Sequence, residues 1–392
     1  MNKVTWIGVA AATLTLMVGP AAMAAAPPPM DVGPATTQTL AVYGDAPYGI
    51  SSTDNSQTLA TPAFIDSING DADVQTVMHV GDIHSGKQFC TQAYDQTVFD
   101  LWTQFKDPLV YTPGDNEWTD CHKPGEGGGL TDPAGNPVDY ANGDPIANLA
   151  LIRSIFFPHP GVTLGMNKKL VLSQATWARF FDRTNAADAQ FVENVIFVQG
   201  RTLFVTINLP GGSNNDNDVW YGAPTQSVAQ MNEIRERTGA DLRWLDLAFA
   251  IAGADRRIGS IVIGAQADMW DPEKGAAHQS GFEPVVKSIA AHVTAFKKPV
   301  LMFNGDSHVY QSRNPLVRLD PLPPEGDPVY DTHPGYDRDP LHYDVSNFHR
   351  IVVHGSTTPL EWLKLTIDPS ASNDRRSGTS FGPFSWERKI RP

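Results

Sequence analysis

The chain has 392 residues, 41% of them hydrophobic, and a formal net charge of -14. It is long enough to bury a large core, as one elaborated α/β domain or as more than one unit. So acidic a chain excludes a nucleic-acid backbone or an anionic membrane as its main partner, because both demand basic patches. A small phosphate ester held through a cation is not excluded.

The N-terminus has the grammar of an export signal, with Lys3 as the positive start, an apolar run from Val4 to Val18, and Ala22-Met23-Ala24 as the small-residue cleavage pattern. Residues 1–24 are therefore expected to be removed, an uncleaved anchor being the alternative. No other stretch approaches the about 18 apolar residues of a membrane span, so no membrane partner is expected after cleavage. The expected location is periplasmic or secreted. Residues 25–37, with Pro27, Pro28 and Pro29, read as a stiff linker.

Strand and helix patterns then alternate. Residues 39–44 read as a strand, 56–68 as a helix, 74–80 as a strand, 92–105 as a helix and 108–111 as a strand, the pattern of a layered α/β domain. From Trp118 to Asn142 the composition turns to Gly, Pro, Asp and Asn, a Gly-rich insertion long enough to be either functional or disordered. Helical patterns follow at 145–157 and 174–182, then paired strands Asn194–Val198 and Leu203–Leu209 around Gly200. The stretch Thr225–Ala252 reads as a helix broken near Gly239, and Ser260–Ile263 as a strand. Apolar residues from Phe282 to Phe296 recur at helical spacing, a packing face. Residues 299–303 form another strand, Pro315–Tyr343 a Pro- and Asp-rich loop, and 348–353 and 363–367 closing antiparallel strands before an irregular tail over 371–392.

Several strands end alike. Leu40-Ala-Val-Tyr-Gly-Asp45, Val77-Met-His-Val-Gly-Asp82, Val110-Tyr-Thr-Pro-Gly-Asp115-Asn116-Glu117 and Val300-Leu-Met-Phe-Asn-Gly-Asp306-Ser-His308 each run from apolar strand through Gly to an acid. Ligands in open α/β sheets sit beyond the carboxyl ends of the strands, and four carboxylates converging there require cations. Export also gives the two cysteines meaning: Cys90 and Cys121 follow Asp82 and Asp115 at similar distances. If those loops are neighbours a disulfide would join them, stabilising by about 3 to 4 kcal/mol. Two buried thiols are the alternative.

In order and strand-end placement these motifs resemble the calcineurin-like metallophosphoesterases, the superfamily that includes purple acid phosphatases. The resemblance spans residues 38–370 and implies a four-layer α/β/β/α sandwich holding one or two divalent metal ions. Position by position it implies Asp45 as the opening ligand, Asp82 as a carboxylate bridging two metals, and Asp115 where a ligand Asn is usual. Asn116 stands where a catalytic His is usual, Gln266 in the place of a ligand His, and Asp306 and His308 at a closing His-x-His pair. A His that many members carry two residues after the first Asp is replaced by Pro47.

The resemblance implies hydrolysis of small phosphate esters, diester or monoester, by a metal-activated hydroxide attacking phosphorus. Asn116 would hold the substrate, and His84 or His122 would protonate the leaving group. Four carboxylates would offset roughly four positive charges, leaving a dianionic monoester less welcome than a diester. Oxygen ligands also favour Mn, Mg or Ca over Zn or Fe. A cation-binding protein without turnover on the same fold is the alternative. Nothing in the sequence sets the oligomeric state.

Overall fold

In the computed structural model, which describes residues 30–215, 218–271, 279–317 and 343–390, the strands in chain order are β1 (Gln38–Tyr43), β2 (Thr76–His79), β3 (Leu109–Tyr111), β4 (Leu172–Ser173), β5 (Val195–Gln199), β6 (Thr202–Thr206) and β7 (Ser260–Gly264). They continue with β8 (Val300–Asn304), β9 (Gln311–Arg313), β10 (Phe348–Val352), β11 (Glu361–Ile367), β12 (Arg376–Ser377), β13 (Ser380–Phe381) and β14 (Phe384–Ile390). The expected signal peptide, the start of the linker and most of the 315–343 loop lie outside the described residues.

Alternation along β1 shows how the layers arise. Leu40 and Val42 join Met78, Phe204, Val262, Leu301 and Phe303 in a core between two sheets. Ala41 and Tyr43 face the other way, onto Phe64, Ile65, Val98, Trp102 and Ile152 from the helices Ser56–Asn69, Gln92–Trp102 and Pro145–Phe156. On the far side Ile261, Ile263 and Met302 pack against Trp244 and Ala248 of the helix Val228–Ala254 and Ile289 and Val293 of the helix Glu283–Phe296. The result is the expected α/β/β/α order, each large apolar side chain contributing roughly 1.5–3 kcal/mol by burial.

The first sheet runs β12-β13-β14-β11-β1-β2-β3 and the second β4-β5-β6-β7-β8-β10-β9. Within them β1, β2 and β3 are parallel, as are β6, β7, β8 and β10. Their carboxyl ends carry every strand-end acid singled out above. The disulfide between Cys90 and Cys121 is formed, and it joins the loops that follow β2 and β3.

Three expectations change. The helix Val228–Ala254 runs unbroken through Gly239, because Arg237, Ala240, Asp241, Trp244 and Leu245 are buried on either side of it. That packing outweighs the about 1 kcal/mol a helical Gly costs. The tail is not irregular: β14 pairs with β11 from Phe384 opposite Ile367 to Ile390 opposite Glu361, and Phe384 and Trp386 fill the core between the sheets. Finally, β10 and β11 do not close one sheet together. β10 lies parallel to β8 in the second sheet, whereas β11 lies antiparallel to β1 in the first.

Candidate metal centre

The acids reach one place because their strands end in the same kind of turn. Asp45, Asp82 and Asp306 adopt left-handed backbone, with φ of 48, 61 and 75°. Asp is one of the few residues besides Gly that tolerates this region, and such strained positions concentrate at functional sites. The amide of Asp45 donates to the Gly81 carbonyl at 2.9 Å and that of Ala46 to the Asp82 carbonyl at 3.0 Å, which fastens the first two loops together. Across the sandwich, the Asp306 amide donates to Asp45 Oδ1 at 2.9 Å. Two glycines make the close approach possible: a Cβ on Gly114 would run into the Asp82 carboxylate, and one on Gly305 into that of Asp45.

Asp82 is the hub. Its Oδ2 accepts from Tyr48 Oη at 2.7 Å, from Asn116 Nδ2 at 3.2 Å and from Gln266 Nε2 at 3.2 Å. Asn116 also donates to Tyr48 Oη and to the His84 carbonyl, both at 3.0 Å. His308 Nε2 stands 3.3 Å from Tyr48 Oη and 3.8 Å from Asp45 Oδ1. Asp115 Oδ1 accepts from Gln266 Nε2 at 3.0 Å, and Asp306 Oδ2 accepts from the Asp268 amide at 2.9 Å. Glu117 holds the turn, accepting from Tyr111 Oη at 2.5 Å and the Gly114 amide at 2.7 Å.

Burial and crowding set the electrostatics. Asp45 is pushed up to about 8, chiefly by burial, with the charges of Asp115 and Asp268 adding and the Asp306 amide opposing. Asp82 is driven well above the usual carboxylate range by burial and by Asp115, Glu117 and Asp45. Asp45 Oδ2 is buried without a hydrogen-bond partner. Asp45, Asp82 and His308 offer ligand atoms within 4.8 Å of one another. Two carboxylates and an imidazole, one oxygen orphaned and both acids pushed up chiefly by burial, form a donor set that a divalent cation fits and stabilises.

Beside this cluster opens a cleft of about 380 Å³, lined by Tyr48, Lys87, Asp82, Asp115, Asn116, Asp120, Asp306 and His308 among others. The structure thus brings Asp45, Asp82, Asp115, Asn116, Gln266, Asp306 and His308 together. It leaves the two other histidines aside. The buried His84 ring packs edge-on against Tyr94 and lies near the Cys90–Cys121 disulfide and Glu126, and burial pulls it down to about 4. His122 accepts from the Tyr221 amide at 3.0 Å and faces Asp218 at 4.0 Å, where Lys123 pairs with Asp120 and Asp218. Tyr48 is the site residue that sequence reasoning missed; the one available signal was its place in the Asp45 turn, Asp45-Ala-Pro-Tyr48.

Acids and an imidazole are thus gathered at the carboxyl ends of parallel strands from two packed sheets. The model of the calcineurin-like phosphoesterase family matches residues 39–226, and this segment, which supplies Asp45, Asp82, Asp115 and Asn116, belongs to that superfamily, whose members imply divalent metal ions. Gln266, Asp306 and His308 lie beyond the matched residues. Among solved structures, a purple acid phosphatase from yellow lupin (Lupinus luteus) seeds is similar at 14% identity and a TM-score of 0.43, the match covering 91% of this chain and 52% of that one. The chain thus spans about half the length of that protein. Among curated proteins none matches.

Proposed function

We propose that the protein is an exported, metal-dependent hydrolase of phosphate esters. The observation that carries this reading is the cluster of buried Asp45 and Asp82 with half-exposed His308, with its orphaned Asp45 oxygen, opening onto the cleft. Asp45, Asp82 and His308 would hold the cation, with Asp115 and Asp306 facing the same space. A bound divalent cation would draw charge from the phosphoryl oxygens and lower the pKa of the attacking water.

The chain's own residues do the rest. Asn116 and Tyr48 fix the orientation of the Asp82 carboxylate through their hydrogen bonds, and Asn116 lines the cleft where a phosphoryl oxygen would lie. His84 and His122 are not at the cleft wall and His308 would be taken up by the cation, so the leaving-group proton is assigned to Tyr48, which lines the cleft. Lys87 is the basic side chain lining the cleft, against Asp82, Asp115, Asp120 and Asp306. This balance favours singly charged diesters over dianionic monoesters, and the oxygen-rich donor set favours Mn, Mg or Ca over Zn or Fe. The Val4–Val18 run, the Ala22-Met23-Ala24 pattern and the formed disulfide support export to the periplasm or beyond.

The test is hydrolysis of an aryl phosphate diester by protein stripped with chelator, then resupplied with Mn²⁺. Activity lost on stripping and recovered on addition supports the reading. Mn²⁺ binding with no turnover on any phosphate ester would favour a cation-binding protein that has lost catalysis.

A further inference from the structure

Gln266 presents the wrong end of its amide for a metal ligand. Its Nε2 points at both acids, 3.2 Å from Asp82 Oδ2 and 3.0 Å from Asp115 Oδ1, so its two N–H bonds occupy the place between those carboxylates. The amide cannot turn over at no cost, because the Gly211 amide donates to Gln266 Oε1 at 2.7 Å. A flipped side chain would set N–H against N–H on one side and oxygen against two carboxylates on the other.

The surroundings hold this orientation. Gln266 is fully buried, and Gly81 packs so close to its Cβ and Cγ that a methyl group there has no room. Gly211 opens a run in which Gly212, Ser213, Asn214 and Asn215 all take left-handed backbone, with φ between 59 and 64°. Buried Arg237 braces that run, donating to the Asn214 carbonyl at 3.2 Å, to the Asn214 side chain and to the Asn208 carbonyl at 3.3 Å. On the Asp45–Asp82–His308 side the Tyr48 hydroxyl stands 2.7 Å from Asp82 Oδ2 and 3.3 Å from His308 Nε2, but no amide spans the acids and Asp45 Oδ2 is left without a donor.

We propose that the centre holds one divalent cation, at Asp45, Asp82 and His308, and that the Gln266 amide takes the place of a second cation between Asp82 and Asp115. The inference rests on the metal-dependent reading above. It replaces the expectation that Gln266 is a ligand, and it gives Asp115 a neutral hydrogen-bond donor as its partner instead of a metal.

Mn²⁺ binding to the full, chelator-stripped chain tests it, by calorimetry for the stoichiometry and electron paramagnetic resonance for spin coupling. The wild type is expected to bind one Mn²⁺ per chain with an uncoupled spectrum. Gln266→Glu, which keeps the shape and exchanges a donor for an acceptor, and Gln266→His are expected to bind two, with a spin-coupled spectrum. Two coupled ions in the wild type would overturn the inference and leave the proposed function standing, as would a single ion in both variants. No Mn²⁺ binding in the wild type would overturn the metal-dependent reading itself and the inference with it.

Discussion

His79 ends β2 just before the Gly81-Asp82 turn, and it makes the stability of the site loops sensitive to acid. It is fully buried, with Nε2 2.9 Å from the Ala46 carbonyl and Nδ1 accepting from the Gly81 amide at 3.2 Å, so the neutral ring joins the two loops that carry Asp45 and Asp82. A proton on Nδ1 would face the Gly81 N–H. Burial accordingly pulls His79 from 6.5 down to about 3.

The sign follows from linkage. Between about 3 and 6.5 the unfolded chain binds a proton that the folded chain refuses, so stability rises with pH across that window. The full contribution is present above 6.5 and is lost as pH falls toward about 3. At about 1.4 kcal/mol per pH unit, a drop to about pH 5 costs about 2 kcal/mol. Asp45 and Asp82, with raised values, respond in the opposite direction, so the raw profile mixes both effects. Comparison with His79→Gln isolates the histidine. Urea unfolding of both proteins at about pH 7.5 and pH 5 should show the wild type losing about 2 kcal/mol more than the variant. Equal losses would refute the argument.

The disulfide spans 31 residues, so the chain refolded in reductant should be about 3 to 4 kcal/mol less stable, a fall in Tm of about 4 to 5 °C for a chain of this length; unchanged thermal unfolding would contradict this. Tyr48→Phe removes the hydroxyl that bonds Asp82 and faces His308. If that hydroxyl delivers the leaving-group proton, the rate should fall about 100-fold for alkyl esters and far less for nitrophenyl esters; the same loss for both would assign Tyr48 to positioning alone. The acid-lined cleft predicts a higher kcat/KM for diesters than for monoesters near neutral pH, and a large monoester preference would refute the charge argument.

What the sequence disclosed were features carried by local grammar. A Gly-Asp at the end of an apolar run announces a left-handed turn, and Asp45, Asp82 and Asp306 make one. Two cysteines that follow Asp82 and Asp115 at similar distances would be joined if those loops were neighbours, and Cys90 and Cys121 are bonded. What stayed hidden depends on tertiary context. Gly239 looked like a helix break until the buried faces on either side were seen. Phe384 and Trp386 alternate with polar residues as a strand should, but the short tail only acquires structure from its pairing with β11. Which end of the Gln266 amide meets the acids is decided by the Gly211 amide, 55 residues away in sequence. His84 and His122 lie close in sequence to site residues, yet their rings turn toward Tyr94 and Tyr221.

The most direct test of the account follows Mn²⁺ occupancy and diester hydrolysis in the same samples, for the wild type and for Asp82→Asn. Hydrolysis should rise in step with occupancy in the wild type. Asp82→Asn should lose both while still unfolding cooperatively, since it exchanges a strained buried acid for a neutral amide. Turnover that persists after the metal is stripped, or an Asp82→Asn protein with normal occupancy and rate, would contradict the account.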